Sequence, residues 1–273
     1  MTRQLDHLVL PVENLAVARH RLTELGFTVA PDGQHPFGTG NCCVYFSDNT
    51  FIEPLAITDE EHAAAAIRSG NVFVARDHVF RSIIGQEGVS AIVLATEDAS
   101  EDFRQFADAG IGLGEMLTFS RPFIDAAGNS DNATFRLAFA GSPDIADAFV
   151  FSCERTNAPK VDRSALTGHA NGALSLSRVL IAPGATHYLD LVAVASSAGR
   201  GAVKLGNTAV AADELARSGN AATINAIAFR VADLHIVENL LQRTAIDFQR
   251  WQNQIIVPPA RGQGVDFIFE AIE

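Results

Sequence analysis

Residues 5–12 read LDHLVLPV, an alternating apolar pattern that is typical of a β-strand. The alternation predicts that His7 shares one face of this strand with Leu5 and Val9, and that Asp6 points to the opposite face. Two interpretations of the histidine are open. It is a half-buried strand residue with a local hydrogen bond, or it is a functional group that faces the interior of the fold.

The elements that follow this strand recur along the chain. A helix pattern with apolar residues three and four apart lies at 15–25, and three strand patterns follow it up to residue 57. The same order of strand, helix and three strands is indicated at 88–153 and at 224–272, and residues 173–212 carry a shortened version. Because the repeats vary in length, they indicate paired modules that each curve a small sheet rather than a solenoid of fixed repeats.

We therefore predict an α+β fold of tandem βαβββ modules, paired into curved mixed sheets that form cups. A linker is indicated where an Ala-Pro-Lys segment interrupts the patterns between the two pairs. The expected bounds are an N-terminal pair at 1–157 (module one 1–58, a helical link 59–86, module two 87–157), a linker at 158–172, and a C-terminal pair at 173–273 (a shortened module three, then module four at 222–273).

The composition favours a soluble globular protein and disfavours two classes of partner. The 273 residues are 48% hydrophobic, and 20 Lys+Arg against 32 Asp+Glu give a net charge of −12. Nucleic acids and anionic membrane surfaces attract clustered positive charge, so neither is an expected partner. No secretory signal or membrane-spanning run is indicated, and the three cysteines do not suggest a disulfide framework. We expect a cytoplasmic protein with a small-molecule substrate, as a monomer or a homodimer.

Glu53 gives the strongest indication of chemistry in the first module. It lies in FIEPL at residues 51–55, where it shares a face with Phe51 and Leu55. A carboxylate at such a position is costly to bury unless it meets a cation, a metal ion or hydrogen-bond donors. If the sheet is cup-shaped, Glu53 on the fourth strand and His7 on the first strand converge in one hollow. An imidazole and a carboxylate together suit Zn, Fe, Mn, Co or Ni.

The motifs of the first module resemble those of the vicinal oxygen chelate superfamily, and more narrowly its glyoxalase-like domain branch. The similarity covers about residues 5–58 and continues in parts of 119–173. It is carried by LDHLVLPV (5–12), LGF (25–27), GTGN (38–41), FIEPL (51–55), FSRP (119–122) and the segment from 151 through HANGA (169–173). The resemblance implies paired βαβββ modules with ligands on the inner faces of first and fourth strands. The activities known in this superfamily, which the resemblance offers as candidates, include isomerisation, epimerisation, extradiol ring cleavage, thiol transfer and metal-free drug sequestration.

The resemblance places His7 and Glu53 at the first-strand and fourth-strand ligand positions, as metal ligands. The matching first-strand positions of the other modules hold no histidine, since they are Ala91, Arg178 and Ala226. The family pattern is therefore only partly present.

Four residues outside the first module complete the set that the resemblance suggests. Glu154 and Glu270 are fourth-strand carboxylates, of which Glu154 is expected to bind substrate and Glu270 to bind metal. Arg155 stands where the branch usually has a histidine, and because a guanidinium cannot coordinate a metal it is expected to bind an anionic substrate group. His169 is a further candidate metal ligand.

Three residues near the predicted hollow could contact a substrate. His35 precedes a glycine-rich turn, where it is either an exposed loop residue or a residue at the lip of the cup that acts as a general base or a ligand. Asn41 could orient a substrate carbonyl or only close the turn. Arg121 lies among phenylalanines, where it binds a carboxylate or pairs with an acidic neighbour.

These observations favour an enzyme with Glu53 and His35 as catalytic groups and a divalent metal ion, or no cofactor if the site is incomplete. The expected reaction is a metal-assisted isomerisation or lyase step on a small oxygen-rich molecule, through an enolate-like intermediate. One alternative is a metal-free protein that sequesters an aromatic or drug-like ligand against its many phenylalanines (18 in the chain). A less favoured one is an extradiol-type dioxygenase, which needs two histidines and one carboxylate on iron.

Overall fold

The computed structural model describes residues 2–124, 130–157, 162–198, 203–213 and 222–272. The first sheet has nine strands: β1 (Leu5–Pro11), β2 (Gly33–Gln34), β3 (Thr39–Asn41), β4 (Val44–Tyr45), β5 (Phe51–Ile57), β6 (Ala91–Ala95), β7 (Leu117–Ile124), β8 (Ser130–Ser142) and β9 (Ile145–Thr156). The second has seven: β10 (Ala173–Ile181), β11 (Val203–Leu205), β12 (Thr208–Ala212), β13 (Ile224–Val231), β14 (Gln249–Trp251), β15 (Gln254–Val257) and β16 (Asp266–Ala271). The α-helices are α1 (Leu15–Glu24), α2 (Glu60–Arg68), α3 (Val72–Ile83), α4 (Ala99–Asp108), α5 (Thr186–Ser196) and α6 (Leu234–Arg243).

The two sheets repeat one pairing scheme. In the first sheet β1 pairs in parallel with β5 and antiparallel with β6, and β6 pairs in parallel with β9. In the second sheet β10, β12, β13 and β16 take the same places in the same directions. The predicted α+β fold of curved, mixed sheets built from βαβββ modules is confirmed. The expected module and linker bounds stay predictions, and residues 158–161 of the linker lie outside the described residues.

Local sequence explains why helix α1 begins and ends where it does. The Asn14 side chain accepts hydrogen bonds from the backbone N–H groups of Ala16 and Val17, so it caps the first turn. The helix buries Leu22 and stops before Gly26, whose φ of +84° suits a residue without a Cβ. A Cβ there would also lie 2.6 Å from the Leu240 side chain, so the glycine lets this turn pack against helix α6.

One apolar core joins the two halves of the chain. Residues on one face of the first sheet, such as Leu8 and Ile52, belong to the same buried cluster as Phe229 and Phe267 of the second sheet. Tyr188 of α5 is fully buried, and its hydroxyl donates a hydrogen bond to the Phe149 carbonyl of β9. The sheets are therefore packed against each other through this shared layer.

The opposite face of the first sheet has its own cluster. Val9 and Phe151 of the sheet pack there with Ala63 of α2 and with Phe73 and Val74 of α3. The two helices of the link therefore pack over this inner face and help to enclose a hollow. Within the described ranges, no helix is both long and apolar enough to cross a membrane.

Candidate active site

A cavity of about 460 Å³ lies on the inner face of the first sheet. This volume falls in the range of small-molecule sites, about 300–1,000 Å³. Its aromatic lining is Phe37, Phe51, Phe73, Phe119, Phe135 and Phe151. The predicted site residues that line it are His7, His35, Asn41, Glu53, Arg121 and Arg155.

His7 and Glu53 meet at the cavity as the sequence predicted. The Nε2 atom of His7 lies 3.2 Å from Oε2 of Glu53, and the two residues are only 4% and 6% exposed. The imidazole stacks on Phe51, with ring centroids 4.3 Å apart and planes 13° from parallel. Because β1 and β5 are neighbouring parallel strands with Val9 opposite Glu53, the two side chains rise from adjacent positions of one surface.

The contacts of this pair set its protonation. Burial opposes the charged form of each group, but contacts with Asp6 and Glu53 raise the pKa of His7 above its ordinary value. Burial likewise raises the pKa of Glu53, but the contact with His7, the charges of the two histidines and a hydrogen bond from Asn41 lower it to about 2. These contacts therefore favour the protonated form of His7 and the ionised form of Glu53.

Asp6 does not follow the simple alternation of the first strand. Leu5 pairs with Leu94 and His7 with Val93, so Asp6 is an extra, bulged residue in β1. Its Oδ2 atom lies 2.5 Å from Nδ1 of His7. The prediction that Asp6 points away from His7 is therefore wrong. The only sequence feature that could have indicated this contact is the pair of adjacent polar residues in an otherwise apolar strand.

Arg155 lines the cavity but is already engaged. Its two terminal nitrogens donate to the two carboxylate oxygens of Asp6, at 2.7 and 2.5 Å. This two-point contact neutralises the charge that was expected to bind a substrate anion. Arg155 therefore positions Asp6, which in turn fixes the ring of His7.

Asn41 and His35 complete the surroundings of Glu53. The Asn41 amide donates a hydrogen bond to Oε1 of Glu53. His35 lies with Nε2 3.7 Å from that same oxygen and Nδ1 2.9 Å from the Thr39 hydroxyl oxygen. The His35 side chain is 7% exposed, which excludes the interpretation as an exposed loop histidine. Burial and the positive charges of Arg121 and His7 outweigh the attraction of Glu53 and lower the pKa of His35 to about 4.

Acid should destabilise the protein through His35. The pKa of about 4 in the folded protein lies below the ordinary histidine pKa of 6.5, so protons bind the unfolded chain first as the pH falls. The contribution of neutral His35 to the free energy of unfolding is fully present above pH 6.5, and about 3 kcal/mol of that free energy should be lost between pH 6.5 and 4. Urea unfolding across this range should show a shallower pH dependence for His35→Gln. The exposed His20→Gln is the control, and an unchanged slope in His35→Gln would contradict this assignment.

Three predicted site residues are not brought to the cavity. Glu154 lies on β9 next to Cys153, which faces inward, so its own side chain faces outward and accepts hydrogen bonds from Ala99 N and Arg136. His169 accepts a hydrogen bond from the Thr28 N–H at Nδ1, and its Nε2 lies 3.0 Å from the Tyr45 carbonyl oxygen.

Both ring nitrogens of His169 are therefore engaged away from the cavity. Glu270 lies in the second sheet, where Nη2 of Arg178 donates to its Oε2 at 2.8 Å. It pairs with the arginine that occupies a first-strand position of that sheet. Neither residue approaches the pair formed by His7 and Glu53.

The chain is similar in fold to several solved structures. A hypothetical protein from Staphylococcus aureus has a TM-score of 0.65 at 13% identity, over 98% of this chain and 99% of that one. A mutant of 4-hydroxymandelate synthase from Streptomyces coelicolor has a TM-score of 0.61 at 13% identity, over 99% and 93%. A xylose isomerase-like TIM barrel/4-hydroxyphenylpyruvate dioxygenase fusion protein has a TM-score of 0.54 at 12% identity, over 99% and 49%. At these identities the likeness shows the fold alone. No curated protein matches the sequence.

The paired βαβββ modules and their cupped sheets define the vicinal oxygen chelate class of fold. A model of the glyoxalase-like domain matches residues 5–186, which is more than half of the chain. The chain therefore belongs to the glyoxalase-like domain family, and the resemblance carried by its motifs is confirmed.

Divalent metal ions are common in this superfamily, and the cavity holds the histidines and the carboxylate that such an ion uses as ligands. Catalytic zinc sites use three protein ligands, each at about 2.0–2.2 Å. Here Nε2 of His7 faces Glu53 directly, and Nε2 of His35 is 3.7 Å from the other carboxylate oxygen. Across the described part of the chain, no group of three or more His, Cys, Asp or Glu side chains could hold a metal ion. In this structure His7 bonds Asp6 through Nδ1 and contacts Glu53 through Nε2, so the described side chains form a hydrogen-bonded pair rather than an assembled metal site.

Proposed function

We propose that this protein is an enzyme that moves a proton on a small oxygen-rich organic molecule, as an isomerase or a lyase, in the cavity of the first sheet. The observation that carries the proposal is the buried contact of 3.2 Å between His7 and Glu53. Oppositely charged acid and base groups at one cavity wall are the arrangement that proton transfer to and from carbon requires. Family membership supports the class of reaction.

The two groups have distinct roles. A substrate carbonyl oxygen accepts the Nε2–H of His7, and the Glu53 carboxylate removes a proton from the adjacent carbon. The C–H electron pair moves into the enolate, whose oxygen is stabilised by the imidazolium. In an isomerase of a hydroxycarbonyl compound, His7 gives its Nε2 proton to the enolate oxygen, Glu53 delivers its proton to the former carbonyl carbon, and the hydroxyl proton of the neighbouring carbon returns to His7 as the new carbonyl forms. In a lyase the electron pair expels a leaving group from the next carbon.

Substrate binding itself adjusts the basicity of Glu53. The contact with His7 is the main influence that lowers the carboxylate pKa to about 2 against the effect of burial. A substrate oxygen that takes the imidazolium N–H removes that contact, so the pKa of Glu53 rises toward the value that burial favours. Asp6 meanwhile holds Nδ1 of His7, so the proton at Nε2 stays directed at the substrate.

Exchange of carbon-bound hydrogen tests the proposal before a product is known. Purified protein is incubated in D₂O with a panel of 2-oxo and 2-hydroxy acids, hydroxyketones and aldehydes, and loss of C–H signal is followed by proton NMR. We expect exchange in at least one compound, and the same rate after dialysis against EDTA, because the proposed acid and base are both side chains of the protein. Loss of exchange on chelation, restored by one equivalent of metal, would instead support the metal-assisted reaction predicted from sequence.

The second candidate is a protein that binds and sequesters an apolar ligand. The aromatic lining of the cavity favours it, since six phenylalanines surround the charged pair. Tight ligand binding without exchange in any compound of the panel would support sequestration and overturn the enzymatic proposal.

A further inference from the structure

Arg121 is a half-buried cation of the cavity for which the described residues supply no counter-charge. Its guanidinium lies 5.0 Å from the centre of the Phe135 ring. Among the residues that the structure describes, it makes no ion pair, whereas Arg155 pairs with Asp6. The remaining carboxylate at the cavity, Asp32, pairs with Arg19.

The carboxylates of the inner cluster already have partners. Asp6 pairs with Arg155 and His7, and Glu53 contacts His7, so neither is left over for Arg121. Among the described residues, Arg121 therefore adds a positive charge that no carboxylate pairs with. Because it is partly shielded from water, a bound anion would interact with it more strongly than with an exposed arginine.

Gly33 places this guanidinium next to the reacting groups. A Cβ at this position would lie 2.5 Å from Oδ1 of Asn41 and 3.0 Å from Nη1 of Arg121. The two side chains thus share the space left by the missing methyl group. Asn41 also bonds Glu53, so the guanidinium and the proposed base border the same asparagine.

We propose, resting on the function proposed above, that Arg121 binds the carboxylate of the substrate and that this substrate is a small organic acid with an apolar, aromatic-compatible body. A planar carboxylate matches the two-point geometry of a guanidinium. A doubly charged phosphate would call for more positive charge than one free half-buried arginine supplies.

The position of Arg121 also limits where the substrate reacts. Its neighbour Asn41 contacts Glu53, so a carboxylate held by Arg121 places only the first carbons of the chain near the base. The reacting C–H bond is therefore one or two bonds from the carboxylate. The rest of the molecule lies against the rings of Phe119 and Phe135, which stack at 5.0 Å beside the arginine.

Matched acids and amides test this assignment by calorimetry. The probes are phenylacetate, 3-phenylpropanoate, 4-phenylbutanoate and 4-methylpentanoate, each compared with its neutral amide. We expect at least one acid to bind the native protein about tenfold or more tightly than its amide, as a charge-assisted hydrogen bond provides. Arg121→Gln should remove this preference while amide affinity and the thermal unfolding midpoint stay unchanged. Arg121→Lys should restore part of it.

Arg163→Gln is the matched control, because Arg163 also lines the cavity but is exposed and stacks 4.4 Å from the Tyr45 ring. It should keep the preference for acids. The inference is overturned if no acid binds, if acids and amides bind equally, or if the preference survives Arg121→Gln. Acid preference without hydrogen exchange would leave Arg121 as a carboxylate site and remove only the proposed reaction. Hydrogen exchange that occurs only in neutral compounds would support the proposed reaction and overturn the assignment of Arg121 as a carboxylate site.

Discussion

Replacing Glu53 by glutamine is expected to reduce hydrogen exchange by about 10²–10⁴-fold, the usual contribution of a positioned general base. The amide keeps the shape of the side chain and can still contact Asn41 and His7, but it cannot accept a proton from carbon. The protein should therefore fold and bind its acid ligand. The measurement is the NMR exchange rate with the best compound of the panel, together with its dissociation constant.

Glu270→Gln is the matched control for this substitution. Glu270 is also a glutamate on the last strand of a module, but it pairs with Arg178 in the second sheet. We expect it to leave the exchange rate unchanged. Equal losses in the two variants would indicate a general effect on the fold. Full exchange in Glu53→Gln would remove Glu53 as the base.

Replacing Asp6 by asparagine should produce the largest loss of stability. Asp6 lies between His7 and Arg155, and removing one charge from a buried ion-paired group costs about 3–5 kcal/mol. The Arg155 guanidinium would then lack its carboxylate partner in a place with little water. Equilibrium unfolding in urea at pH 7 measures the loss.

The exposed ion pair between Glu13 and Arg261 supplies a control, since Glu13→Gln should change the free energy of unfolding by only about 0–1 kcal/mol. The contacts with His7 and Arg155 lower the pKa of Asp6 against the effect of burial, so its contribution is present above the ordinary aspartate pKa and declines as the pH falls below it. The gap between native protein and Asp6→Asn should narrow in acid. A loss below 1 kcal/mol at pH 7 would show that the cluster does not hold the strand in place.

The fold was predictable because periodicity and turn residues repeat along the chain. Alternating strands followed by a helix with apolar spacing recur, and the pairing of β1 with β5 and β6 returns in β10 with β12 and β13. The meeting of His7 and Glu53 was predictable for the same reason. From His7 onward β1 stays in register with β5, so alternation and strand order were sufficient to bring both side chains to one face.

The features of the candidate site that the sequence did not predict depend on local irregularity in a strand and on contacts between residues far apart in the chain. The bulge at Asp6 shifts the register within one strand, and alternation carries no signal of it. Arg155 and Asp6 are 149 positions apart in the sequence, so no local pattern predicts their contact. Strand β9 directs Cys153 into the cavity, so its neighbour Glu154 faces outward. An error of one residue in the predicted register exchanges the two faces of a strand.

The shared apolar layer between the sheets has a consequence for the protein as a whole. Leu8 and Ile52 lie behind the cavity wall and are covered by Phe229 and Phe267 of the half that lacks the proposed catalytic groups. If the C-terminal half were removed, the rear of the cavity wall would be a large exposed apolar surface, which favours aggregation. The C-terminal half thus supports the other, and we expect the whole chain to unfold as one cooperative unit.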